Sequence, residues 1–159
     1  MTLSGISSLL IGLSLSLTLL LAPAAAGLAA MDCAPITTAE VEALFDRWNE
    51  ALQSGDPDQV SALYSDNALL LPTLSPLPRS DQSGIRSYFV DFLARGPQGR
   101  IESRTLDLGC NEAVDAGTYS FRFRDGERVQ ARYTFVYRYS DEQGRWLIQH
   151  HHSSLQPTA

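Results

Sequence analysis

Between residues 36 and 96 the apolar positions recur every three or four residues, and from residue 100 they recur every second one. In "ITTAEVEALFDRWNEALQSGD", Val41, Leu44, Phe45, Trp48 and Leu52 fall on one side of a 3.6-residue period, which predicts an amphipathic helix. Thr37 followed three residues on by Glu40 is a capping box at its start, and Gly55 marks its end. Asp56 and Pro57 then open a second, short helix carrying Val60, Leu63 and Tyr64. "ALLLP" reads as a short buried strand stopped by Pro72. After the loop "TLSPLPRS", Ser80 opens a third helix with Ile85, Tyr88, Phe89, Phe92 and Leu93 on its apolar face, and Gly96-Pro97 ends it. "RIESRTLDLG", "EAVDAGTYSFRF", "RVQARYTFVYRY" and "RWLIQHHHSS" alternate and are rich in β-branched and aromatic residues, so four strands are predicted. Helices first and strands afterwards indicate an α+β domain, with helices packed on one face of an antiparallel sheet.

The turns assign faces to these strands. "RDGE" predicts a two-residue type I′ hairpin that pairs Arg124 with Glu127. Counting back, Tyr119 then lies opposite Arg132, on a face with Phe121, Thr134 and Val136. Thr118, Tyr133, Phe135 and Tyr137 take the other face. Neither face is simply polar. One is expected to meet the helices and the other a partner, since a monomer rarely exposes so much aromatic surface.

The first residues break the pattern. "LLIGLSLSLTLLL" is an uncharged apolar run followed by "APAAAG", in which Ala24 and Ala26 form an A-x-A cleavage pattern. Residues 1–26 are therefore expected to be a secretory signal peptide cut near Ala26, which places the protein in the periplasm or outside the cell. No Lys or Arg precedes the run, which departs from the usual signal pattern. The rival reading is an uncleaved anchor, but the run is short for a bilayer span and Pro23 follows it closely, so cleavage is favoured and no membrane attachment is expected after it. The rest of the chain is long enough for one domain with one core. Twelve basic against eighteen acidic side chains give a net charge of −6, which argues against nucleic acid as a partner. Cys33 and Cys110 are the two cysteines. In an oxidising compartment an even count without C-x-x-C predicts one structural bridge between them, worth about 4 kcal/mol in the chain-entropy treatment.

The segments "ALFDRWNEALQSGDPDQVSALYSDNALLLPTLS", "IRSYFVDFL", "VQARYTFVYRY" and "GRWLIQHHHSS", in that order and spacing, carry a resemblance to a known family. Residues 36–157 resemble small bacterial proteins similar to the association domain of calcium/calmodulin-dependent protein kinase II, within the nuclear transport factor 2-like or SnoaL-like superfamily. The resemblance implies a cone-shaped α+β fold with a curved sheet wrapped over helices around a pocket. It also implies homodimers or larger rings built through the sheet, and in the kinase hub a pocket for small carboxylates. Unlike the kinase, this sequence is expected to hold neither a kinase domain nor a calmodulin-binding helix. Related enzymes include isomerase-, dehydratase- and cyclase-like members, and fold alone does not choose among them.

His150, His151 and His152 are the three histidines of the chain and stand side by side. His150 and His152 would share a strand face, but a zinc site needs a third protein ligand and no acidic residue stands at a telling spacing, so neither a metal nor another cofactor is expected. Ser153 and Ser154 adjoin histidines without any G-x-S-x-G, which is the wrong context for an activated serine. A ligand pocket is the stronger reading. Arg132 on an apolar sheet would need a carboxylate or a polar ligand. With a five-residue last hairpin loop His152 pairs with Arg132, and a one-residue slip puts His151 on that face instead. Tyr119, Arg132 and one histidine would then form a row, with Trp48, Tyr64, Tyr88 and Phe92 as wall. The alternative is that Arg132 pairs internally with Asp46 and the aromatics are core. If the pocket is catalytic, His151, His152 or Asp46 (with Glu50 a further choice) is the acid–base candidate for a small carbonyl compound, and Arg132 or Tyr119 steadies the oxyanion. Two functions remain open: an exported oligomeric domain holding a small anionic ligand, or a cofactor-independent SnoaL-like enzyme.

Overall fold

A computed structural model describes residues 33–157. The expected leader, residues 1–26, lies outside the described residues. The helix α1 spans Thr38–Ser54 and α2 spans Pro57–Ser61. The strand β1 covers Tyr64–Leu71, and α3 covers Gln82–Ala94. Four long strands follow: β2 (Gln98–Leu108), β3 (Glu112–Arg122), β4 (Arg128–Ser140) and β5 (Arg145–Leu155).

Local chemistry marks the helix ends. The Glu40 backbone N–H donates to Thr37 Oγ1 at 3.3 Å while the Glu40 carboxylate accepts from the Thr37 N–H at 2.8 Å. Gly55, at φ 72°, turns the chain out of α1 in a conformation that costs other residues a Cβ clash. Asp81, rather than Ser80, caps α3 by accepting from the Gly84 N–H at 2.7 Å. The strand predicted at Ala68 begins earlier, at Tyr64, because that residue pairs with Ile148 of β5 instead of continuing α2.

The sheet order is β1-β5-β4-β3-β2. Neighbours are antiparallel except the edge pair β1–β5, which is parallel. The sheet is curved and unclosed. In β2 the register shifts between Ile101, opposite Tyr119, and Ser103, opposite Thr118, and Gly117 follows opposite Arg104. Gly117 is required there: a Cβ at this position would run into the Ser103 carbonyl.

The register of the central hairpin differs from the expected one. Arg122 pairs with Arg128, and the Phe123 N–H donates to the Glu127 carbonyl, so the loop is Arg124-Asp125-Gly126. Gly126 at φ 89° supplies the left-handed residue of a three-residue turn. One residue of slip exchanges the faces. Tyr119 lies opposite Ala131, and Arg132 lies opposite Thr118 and is exposed. Tyr119, Phe121, Val129, Tyr133, Phe135 and Tyr137 therefore all point inward and are buried. The stripe with Tyr133, Phe135 and Tyr137, one of the two faces open to a partner on the sequence reading, is core.

That inner face packs on Phe45, Trp48, Ile85, Phe89 and Phe92. Trp48 sits at the centre, edge-on to Phe121 and Phe135 at centroid distances of 6.3 and 5.3 Å. The expected bridge is present: Cys33 is bonded to Cys110, with Cα atoms 5.2 Å apart. It ties the start of the described chain to the β2–β3 turn, where Asn111 Oδ1 accepts from the Ala34 N–H at 2.6 Å.

Candidate functional site

The site lies on the inner face of β5, and a bulge in that strand creates it. Tyr137 pairs with Ile148, but Val136 pairs with His150, so Gln149 is an extra residue. Strict alternation from the inward Ile148 would have turned His150 inward. The bulge turns His151 inward opposite Phe135 and leaves His150 and His152 exposed on the other face. Ser153, two residues beyond His151, shares its face and is also buried.

His151 is held on every side. Its ring stacks on Phe135 at a centroid distance of 4.0 Å, and Trp48 meets it edge-on at 5.3 Å. Its Nδ1 lies 2.9 Å from Tyr64 Oη, which accepts from the Trp48 indole N–H at 3.1 Å. Its Nε2 lies 3.4 Å from Tyr119 Oη. The Tyr119 hydroxyl donates to Ser153 Oγ, and Ser153 is hydrogen-bonded to Thr73 from the loop after β1. Trp48, Tyr64, His151, Tyr119, Ser153 and Thr73 thus form one connected polar row inside an aromatic core.

Burial decides the protonation of this row. Desolvation, followed by the charge of His152, pushes the His151 pKa down from 6.5 to about 3, so the ring is neutral at ordinary pH. Burial pushes the Tyr64 and Tyr119 hydroxyls upward, so both keep their protons. Between the row and Tyr88, Phe89 and Phe92 of α3 lies a cavity of about 10 Å³, room for one water molecule. Pro72 and Thr73 also line it, and among the described residues no charged side chain does.

A second buried polar cluster sits on the same sheet. Asp115 is fully buried; it accepts from the Tyr133 hydroxyl at 2.7 Å and from Arg104 Nε at 3.2 Å. Arg104 also reaches Glu42 of α1 at 3.5 Å. Burial pushes the Asp115 carboxyl upward, against the pull of Tyr133 and Arg104. The Tyr137 hydroxyl, buried nearby, has no hydrogen-bond partner among the described residues.

Of the residues named from sequence, the structure brings Trp48, Tyr64, Tyr88, Tyr119 and His151 near one another. It separates three others. Arg132 and His152 are on the outer face because of the hairpin slip and the bulge, and they do not pair: Arg132 lies opposite Ser154, and His152 opposite Thr134. Asp46, like Glu50, is exposed on the outward side of α1 and takes no part. Arg132 therefore cannot hold a ligand in this cavity. Ser153 and Thr73 were missed as site residues. The strand period pointed to Ser153 once His151 faced inward, whereas nothing in the loop sequence singled out Thr73.

Residues 37–157 match the family described as the calcium/calmodulin dependent protein kinase II association domain. The chain belongs to that family. An association-domain candidate from Xanthomonas campestris shares 47% identity, with a TM-score of 0.71 over 76% of this chain and 88% of that one. A nuclear transport factor 2-like protein of unknown function from Pseudomonas putida aligns at 20% identity and a TM-score of 0.66, covering 76% of this chain and 87% of its own. The iota-carbonic anhydrase of a cyanobacterium, complexed with bicarbonate, aligns at 23% identity and a TM-score of 0.67, covering 79% and 95%. The fold of this association domain is accordingly nuclear transport factor 2-like, as the motif order implied.

Proposed function

We propose that the association domain binds and interconverts carbon dioxide and bicarbonate in the cavity beside His151. One observation carries the reading: Tyr119, Ser153, Thr73 and a neutral histidine converge on a hollow the size of a water molecule, walled on its other side by aromatic rings. The rings suit an apolar, linear carbon dioxide, and the hydroxyls suit the oxygens of the product. Hydroxyl and ring N–H donors held away from bulk water stabilise a developing oxyanion more than water can. In the reaction, a water oxygen forms a bond to carbon, a C=O electron pair becomes the oxyanion, and the released proton passes to solvent. The half-exposed Thr73 hydroxyl is the nearest route outward. Entry of three or four heavy atoms requires the half-exposed Tyr88 to turn aside. With no cation in the wall, bicarbonate is held by hydrogen bonds alone, which favours its release. The bicarbonate-bound carbonic anhydrase of like fold supports this choice of ligand over the larger carbonyl compounds open at the sequence level.

Self-association through the outer sheet face and export by a leader over residues 1–26 belong to the same proposal. The association-domain family supports the first, and the Cys33–Cys110 bridge, suited to an oxidising compartment, supports the second.

Stopped-flow hydration of carbon dioxide with a pH indicator tests the activity. The wild-type chain should accelerate hydration above buffer. Tyr119→Phe and Ser153→Ala should each lower kcat/KM by about ten-fold or more while the fold is retained. A wild-type rate equal to buffer, or both variants at full activity, removes the proposal.

A further inference from the structure

We infer that Trp48 and Tyr64 are positioning residues: they hold His151 in the tautomer protonated at Nε2 and so orient the whole buried row toward Ser153 and Thr73. The catalytic consequence rests on the hydration reading above, whereas the tautomer follows from the geometry alone.

The argument begins with a group that has no choice. An indole N–H donates and never accepts. That of Trp48 points at Tyr64 Oη from 3.1 Å, so Tyr64 accepts there and must place its own proton elsewhere. Tyr64 is 1% exposed, and the other polar atom at its hydroxyl is His151 Nδ1, 2.9 Å away. Were Nδ1 protonated, Tyr64 would accept twice and its own O–H would be buried with no acceptor. An unmade buried hydrogen bond is the costlier outcome. Nδ1 is therefore bare, and in a neutral ring the proton is on Nε2.

The polarity then propagates. Nε2–H faces Tyr119 Oη at 3.4 Å, Tyr119 donates to Ser153, and the Ser153 hydroxyl meets Thr73. From Trp48 to Ser153 every bond in the row runs the same way, away from the buried indole and toward the cavity. A histidine whose Nδ1 is occupied and whose Nε2 carries the proton cannot take a proton from water in the cavity. Its one N–H is directed at Tyr119 Oη, which lines the cavity. His151 thus donates to Tyr119, a hydroxyl on the product side of the reaction, rather than serving as general base. Phe in place of Tyr64 would keep the ring packing on Phe89 while removing the one group that enforces this.

The test uses the full chain with ¹⁵N-labelled histidine. Two-bond ¹H–¹⁵N spectra near neutral pH separate protonated from bare ring nitrogens. Wild-type His151 should show Nδ1 bare and Nε2 protonated; the reverse overturns the inference outright, with no variant needed. In Tyr64→Phe the Nδ1-protonated share should rise by about ten-fold, the factor that one net hydrogen bond is worth. Trp48→Phe, which frees Tyr64 to rotate, should move the share in the same direction. Unchanged tautomers in both folded variants would also overturn the inference. Hydration kinetics read the consequence: Tyr64→Phe should lower kcat by about ten-fold with KM within about two-fold. A wild type with no turnover but the Nε2–H tautomer overturns the hydration reading and supports the positioning role. Turnover together with an Nδ1–H ring does the reverse.

Discussion

Keeping a neutral histidine in the core makes stability depend on pH in a way that one substitution removes. His151 titrates at 6.5 in the unfolded chain and at about 3 in the fold, with burial as the main cause. Below 6.5 the unfolded chain takes up a proton that the folded chain refuses, so protonation stabilises the unfolded state. The stabilisation is fully present above about pH 6.5 and is lost progressively as pH falls toward about 3. Each pH unit inside that window is worth about 1.4 kcal/mol. Between about pH 7.5 and pH 5 the unfolded histidine traverses some 1.5 units of the window, which amounts to about 2 kcal/mol, a large part of a typical domain's stability. His151→Phe retains a ring against Phe135 and removes the titration. It also strands the Tyr64 proton, but that cost does not change with pH. The raised Asp115 carboxyl is common to both proteins and cancels in the difference. Urea unfolding at the two pH values measures it. The wild type should lose about 2 kcal/mol more than His151→Phe on acidification. Two curves that fall in parallel, within about 0.5 kcal/mol, would show that His151 is not held neutral by burial, and the protonation argument for the row would fail with it.

Two further outcomes test the register. Arg132→Ala should leave unfolding free energy within about 0.5 kcal/mol of wild type and hydration rates unchanged, because the side chain is exposed on the outer face; a loss of ligand binding would restore the two-residue hairpin. Gly117→Ala should destabilise by about 1–3 kcal/mol in urea unfolding, since its Cβ meets the Ser103 carbonyl at the β2 bulge, and a neutral result would show that the strands do not approach so closely there.

Much of the fold was legible because its signals are local. The 3.6-residue apolar spacing of Val41, Leu44, Phe45, Trp48 and Leu52 and the Thr37–Glu40 capping box need no knowledge of the rest of the chain, and α1 forms where they place it. The two cysteines and the motif order likewise read directly. The site was legible only in part. Trp48, Tyr64, Tyr88, Tyr119 and His151 were named for their chemistry and do meet. Arg132 and His152 were assigned by counting from turns, and counting in a strand is unforgiving: one residue in the Arg124-Asp125-Gly126 loop and one at Gln149 each move a side chain through the sheet. Asp-Gly fits both a two-residue and a three-residue hairpin, and packing against the helices selects between them. The slip found places Tyr119, Tyr133 and Phe135 on one face, whereas the alternative would have buried a guanidinium among rings.

From its residues alone, then, this chain determined its class, its element order and the kinds of side chain available for a site: short-range backbone propensity and apolar periodicity act within a few residues and are written into neighbours. Which histidine is inside, which arginine is outside, and that a threonine from a distant loop completes the row were decided only when the sheet and the helices closed on one another. Those choices turn on strand register, and register is set by the combined burial of many residues far apart in the chain.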